Sequence, residues 1–231
     1  MTPDRPDVTD STETVPLGAF QTETGVEYTR ARQAGRPAQQ FVDFSGNLRI
    51  GLGERIELRV LTNPVIQLRD AEDVGHGSLG FGLKYRFLDA TGRWPSLGVE
   101  PFVLFPIAPA GSARPDLAAR ALVSWQFPAG WTLDVNAGLA AVAQTSPGGY
   151  LLQALASASL GKQLSEKLSG FVDLFYASAG ERDGRYIFGL DTGLTYLVTR
   201  WLALDAAVTT ALAGRGPDVA LQAGISMRFG K

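Results

Sequence analysis

The sequence predicts an all-β fold, a transmembrane antiparallel up-and-down β-barrel of twelve strands. Period-two alternation of apolar and polar residues recurs about every fifteen to twenty residues, with Gly, Pro, Asp and Ser clusters between the runs. No window approaches the roughly eighteen consecutive apolar residues of a membrane helix, yet mean hydropathy is slightly positive at +0.04. A membrane barrel reconciles the two, because lipid-facing and lumen-facing residues alternate and cancel within any window.

The first run, 19–28, puts Phe20, Thr22, Thr24, Val26 and Tyr28 on one face and Gln21, Glu23, Gly25 and Glu27 on the other. The second and third follow at 41–50 and 55–61; the third is short and is expected to run on through 62–66 despite Pro64. The fourth, 78–87, opposes Leu79, Phe81, Leu83, Tyr85 and Phe87 to Gly80, Gly82, Lys84 and Arg86, an order that a helix would scramble within one turn. The remaining eight are placed at 97–107, 117–127, 131–143, 150–164, 168–176, 186–197, 201–212 and 219–229. Most are about ten residues long, the length at which a tilted strand crosses the hydrocarbon layer.

Connection lengths alternate. Residues 51–54, 128–130, 165–167 and 198–200 read as tight turns, whereas 29–39, 62–77 and 108–116 are longer and richer in Pro, Gly and charge. Short periplasmic turns and long outer loops are the bacterial pattern, which requires an even strand number and places both chain ends in the periplasm. Aromatic residues on the apolar faces sort the same way. Phe20, Tyr85, Phe87, Trp125, Phe127, Trp131, Tyr196, Trp201 and Phe229 fall near the short turns, and Tyr28, Phe105, Tyr150, Tyr176 and Tyr186 near the long loops. Two such bands are interfacial girdles.

Composition narrows the function. Across 231 residues, Lys+Arg and Asp+Glu number 21 and 23, which argues against the basic surface that nucleic acid needs. With no Cys there is no disulfide framework, thiolate metal site or Cys nucleophile. Met1 is followed by a polar run over 2–14, so no signal peptide is visible in this chain. The expected organisation is a single barrel domain, 17–231, preceded by a polar periplasmic segment, 1–16. That segment is too polar and Pro-interrupted to be a membrane strand, but its residues can extend roughly 50 Å. Two readings stay open for it: partial occupation of the lumen, or disorder in the periplasm.

At this point the chain resembles a known family. Asp4-Arg5-Pro6-Asp7-Val8-Thr9, then Thr14-Val15-Pro16-Leu17-Gly18-Ala19-Phe20-Gln21-Thr22-Glu23, are similar to the start of the outer-membrane transporters named for the meta pathway of phenol degradation. Gly80-Phe81-Gly82-Leu83-Lys84-Tyr85-Arg86-Phe87 and the ending Gly224-Ile225-Ser226-Met227-Arg228-Phe229 are similar as well. The resemblance covers essentially the whole chain. It implies an outer-membrane channel or transporter for small molecules, with small aromatic or hydrophobic compounds as candidate solutes, in a Gram-negative bacterium. His76 in Gly75-His76-Gly77 departs from the acidic residue expected there.

Other readings weigh less. A non-transporting structural or anchor barrel fits the same fold. A lipid-modifying enzyme would need the lone His76 beside a serine such as Ser78, and the two stand at a loop-to-strand junction without set geometry. Asp70, Glu72 and Asp73 could offer carboxylates to Ca²⁺ but lack a Gly-centred ligand loop, so a charged surface loop is expected. A lipocalin-type barrel would turn the apolar faces inward, but the expected inner faces here carry the charged residues, which would make a poor fatty pocket, while the other faces are almost free of charge. No catalytic residue, metal or cofactor is assigned; the expected partners are membrane lipid and a small-molecule solute, with no nucleic acid and a monomer favoured. The candidate lumen-lining residues are Arg49, Arg59, Lys84, Arg86 and Arg120, facing Glu100, Asp134, Asp173, Asp191 and Asp205. This arrangement either makes a transverse field in an open pore or pairs and closes it.

Overall fold

The computed structural model describes residues 1–32, 38–63, 65–69, 77–107, 114–145 and 148–230. Thirteen strand segments form twelve barrel strands: β1 (Phe20–Ala31), β2 (Gln39–Gly51), β3 (Ile56–Asn63), β4 (Val65–Arg69), β5 (Ser78–Leu88), β6 (Ser96–Pro106), β7 (Asp116–Phe127), β8 (Trp131–Gln144), β9 (Gly149–Gln163), β10 (Leu168–Ala177), β11 (Ile187–Thr199), β12 (Leu202–Gly214) and β13 (Val219–Phe229). β3 and β4 flank Pro64 and both pair with β2, so they are two halves of one barrel strand, as the run through Pro64 predicts. Every neighbour is antiparallel, and β1 pairs with both β2 and β13. That last ladder closes the sheet and removes its edges, the requirement for a β structure in lipid.

Burial is inverted relative to a water-soluble protein. The buried apolar residues are mostly alanines with Val15 and Leu122, whereas Arg49, Arg59, Lys84, Glu23, Glu57, Glu100, Asp173 and Asp191 are almost wholly buried. Phe44, Phe81, Leu83, Leu139, Leu152, Leu174, Leu194 and Leu221 lie exposed on the outside. Soluble folds bury charge rarely and the apolar set routinely, so this distribution belongs to a barrel with a lipid-facing exterior and polar interior. At the short-turn end, Phe20 stacks on Phe229 with ring centroids 5.0 Å apart across the closing ladder. At the long-loop end, Tyr176 and Tyr186 stand 6.1 Å apart.

The turns follow local chemistry. The β7–β8 connection holds Ala129 (φ 61°) and Gly130 (φ 74°) both in the left-handed region, the backbone that a tight hairpin needs. On β6, Pro101 has no N–H to give, and the β5–β6 register passes from Gly82↔Phe102 to Tyr85↔Val99 around it.

Candidate functional site in the barrel lumen

The polar segment before β1 lies inside the barrel. At its hinge, Gly18 takes φ +76°, the Ala19 amide donates to the Pro16 carbonyl (3.0 Å), and the Gly51 amide donates to Ala19 (3.0 Å). This turn folds residues 1–16 back through the lumen, where they bond to strands around most of the circumference. The Val15 amide donates to Glu57 on β3 (2.7 Å), and the Thr12 amide to Ser124 on β7 (2.9 Å). Asp10 exchanges two bonds with Asn136 on β8 at 2.8 Å each, Thr9 binds Asp173 on β10, and the Asp4 amide donates to Glu23 on β1. Val15, Thr9 and Thr12 are almost fully buried.

On one side the segment meets a basic wall. Arg49 and Arg59 are direct register partners across β2 and β3, a like-charge pair that would repel if nothing lay between. Asp4 supplies the counter-charge: its Oδ2 lies 3.1 Å from Arg49 Nη1, 2.6 Å from Arg59 Nη2 and 2.7 Å from Lys84 Nζ. Wall carboxylates complete the network, with Arg49 at 2.9 Å from Glu23 and 2.8 Å from Glu57, Arg59 paired to Glu100, and Arg120 at 2.6 Å from Glu100. Asp10 pairs with Arg120, and Glu13 reaches Arg86 at 3.6 Å. Buried charges of this kind persist only when fully paired, since removing one partner strands the other in low dielectric.

The opposite wall is acidic. Ser96, Ser124, Asp134, Ser159, Asp173, Asp191 and Thr209, on β6 to β12, form a continuous row in which each is the register partner of the next. The segment follows part of this row, with Thr12 on Ser96 and Ser124, Thr9 on Asp173, and Asp7 accepting from Ser159 (3.1 Å). Of the strand carboxylates Asp173, Asp191 and Asp205, Asp205 alone has an ion pair among the described residues, with Arg5 Nη2 at 3.3 Å. Arg5 also donates to Ser45 (2.6 Å). Its guanidinium is pressed flat onto the wall where Gly25 and Gly224 are register partners; a Cβ on Gly224 would fall 2.7 Å from Arg5 Nε, and one on Gly25 would overlap the guanidinium.

The structure brings the ten candidate residues together in two groups. Arg49, Arg59, Lys84, Arg120 and Glu100 share one network through Asp4 and Asp10, and Arg86 joins at its short-turn edge. Asp173, Asp191, Asp205 and Asp134 face them from β8 to β12. Glu100 stands with the bases, as the β6 register partner of Arg120. What the strand reading leaves out is the segment's own Asp4, Arg5, Thr9, Asp10 and Thr12. A signal for the acids is present: Asp4, Asp7, Asp10 and Glu13 recur every third residue between Pro3 and Pro16, the repeat of an extended polyproline-like chain. His76, Asp70, Glu72 and Asp73 lie outside the described residues.

Residues 3–229 match the family described as "Putative MetA-pathway of phenol degradation". The chain belongs to this family. No curated protein matches the sequence. Among solved structures, an outer membrane channel from Pseudomonas putida F1 is similar at 16% identity and a TM-score of 0.70, over 94% of this chain and 98% of that one. The NanC porin is similar at 8% identity and a TM-score of 0.62, over 90% of this chain and 98% of that one. The translocator domain of the autotransporter NalP from Neisseria meningitidis is similar at 14% identity and a TM-score of 0.54, over 94% and 91%. At these identities the likeness is one of fold: a closed twelve-strand barrel.

Proposed function

We propose that this protein is an outer-membrane channel or transporter for small molecules, held closed at rest by its own residues 1–16. The observation that supports this reading is the segment's path along the lumen wall, a non-strand element lying where solute would pass. The apolar, ring-bearing exterior supports a membrane location, and the names of the similar structures, a channel and a porin, support passage of solute. The long loops face the exterior and the short turns the periplasm, following the bacterial pattern. Membership of a family tied by name to phenol degradation favours small aromatic or hydrophobic compounds as solutes. The ten lumen residues then have two roles: while residues 1–16 are in place they anchor them, and once these leave they line the path and set its ion preference.

The test is conductance in planar bilayers of the full chain and of a chain lacking residues 1–16. The truncated barrel is expected to give larger and more frequent current steps than the full chain. Equal conductance in the two would reject the segment as the gate, and silence from both would favour a structural barrel.

A further inference from the structure

Residues 1–16 do not fill the lumen evenly. At the short-turn end, a cavity of about 500 Å³ lies between residues 1–11 and the wall made by β8 to β11. Thr132, Ser159 and Thr195 give it a hydroxyl lining. Acids and bases both line it, but two of its carboxylates lack an ion-pair partner among the described residues. Asp7 accepts from Ser159 and Asp134 from Ser124, and neither carboxylate has an ion pair among the described residues. Of the cations on the lining, Arg5 pairs with Asp205, Lys162 lies with the Ala129 carbonyl and the Trp131 ring, 4.8 Å from its centroid, and the Met1 ammonium borders the cavity from the segment's side. Glu166 and Lys167 at the rim contribute one charge of each sign.

One more wall residue matters. Phe171, on β10, is the register partner of Gly193, and its ring lies so close over that glycine that a Cβ there would sit 2.8 Å from the ring edge. The missing side chain lets the phenyl ring lie against the barrel and line the cavity. Two carboxylates short of counter-charge beside an aromatic ring, in a partly enclosed space, form the recognition chemistry of a cation with an organic body: the charge is compensated by the acids and the body covers the ring. An anion would meet both carboxylates, and a neutral alcohol would satisfy hydrogen bonds while leaving the charge uncompensated.

We propose that this cavity is a binding site for small organic ammonium ions, with the ammonium at Asp7 and Asp134 and the organic portion against Phe171. The site rests on the closed-barrel reading in one respect, that residues 1–11 form one of its walls. It does not depend on conduction.

The experiment is isothermal titration of the full chain in detergent micelles, with heats from empty micelles subtracted, using benzylamine, benzyl alcohol and benzoate, which share a ring and differ in charge. Benzylamine is expected to give a saturable heat, benzyl alcohol to bind about tenfold more weakly, and benzoate to give none. Asp134→Asn and Asp7→Asn should each weaken benzylamine about tenfold, and Phe171→Leu severalfold, in variants whose heat-modifiable gel migration shows an intact barrel. Equal binding of the three compounds, no saturable heat from benzylamine, or unchanged affinity in both Asp variants would overturn the proposal. Because no current is measured, a failure here is separate from a failure of the channel reading.

Discussion

Thr9 is tied to Asp173 twice, its amide to Oδ2 at 2.8 Å and its hydroxyl to Oδ1 at 2.9 Å. Asp173 in turn stands directly across the β10–β11 ladder from Asp191, whose own donor is the Thr209 hydroxyl at 3.0 Å. Two buried carboxylates thus face each other with hydroxyl and amide donors in place of a cation. Thr9→Val keeps the shape and the amide while removing the hydroxyl, which leaves Asp173 a donor short. Loss of a hydrogen bond to a buried charged group costs about 1–3 kcal/mol. The expected result is faster amide exchange across residues 8–12 and more frequent openings in bilayers, with the barrel's β-type circular dichroism unchanged. Exchange as slow as in the parent would show that the hydroxyl does not hold the segment.

Asp4 carries the larger share of the anchoring. Its single Oδ2 serves Arg49, Arg59 and Lys84, all almost fully buried. Asp4→Asn keeps the volume and takes away the charge, leaving the Arg49–Arg59 pair to Glu23, Glu57 and Glu100. Breaking a buried pair by removing one partner costs about 3–5 kcal/mol. Since Asp4 belongs to the segment, the loss falls on docking more than on barrel closure. Limited proteolysis should therefore cut residues 1–16 readily in Asp4→Asn while the barrel itself resists; equal resistance in both forms would count against Asp4 as an anchor.

The barrel was legible in the sequence because each strand states its own case. β5 and β12 alternate residue by residue, rings collect at both ends, and a one-residue slip would turn every side chain to the wrong face. Pairing inside the lumen was less legible. Arg49 and Arg59 can be placed on neighbouring strands by counting, but which acid meets them depends on a segment whose path no alternation reports. Asp4 and Asp10 lie far in sequence from their partners, with separations of 55 residues between Asp4 and Arg59 and 110 between Asp10 and Arg120. Glu100 illustrates the same limit: height along its strand suggests the acidic wall, whereas its register with Arg120 and its pairing to Arg59 place it among the bases.

The seat of Arg5 can be disturbed without changing any charge, from the glycine beneath it. A methyl at Gly25 would overlap its guanidinium, which is flexible enough to move but would lose Asp205 or Ser45 in doing so. Gly25→Ala should loosen the segment, and Arg5→Ala should do the same. If the clash is the cause, the double variant should open no more often than Arg5→Ala alone, because the methyl then has nothing to displace. Additive effects on opening frequency would place the consequence of Gly25→Ala in the strand and not at Arg5.

The last prediction concerns the lumen once residues 1–16 are gone. Truncation removes Asp4, Asp10 and Glu13 from the basic wall and Arg5 from the acidic one, so the two walls become more unlike in sign. Arg49, Arg59, Lys84 and Arg120 keep Glu23, Glu57 and Glu100 as neighbours, whereas Asp134, Asp173, Asp191 and Asp205 keep hydroxyl donors or none among the described residues. Fixed charge on the walls of a narrow aqueous path selects ions by sign, and the uncompensated wall has the stronger influence. The truncated barrel is therefore expected to prefer cations. Converting Asp173, Asp191 and Asp205 together to Asn in that background should move the reversal potential in a salt gradient toward the anion value, while single-channel current persists. The comparison is made within the truncated form so that loosening of the segment contributes nothing to the shift. A reversal potential that stays where it was, in a barrel that still conducts, would show that ions do not pass along this wall.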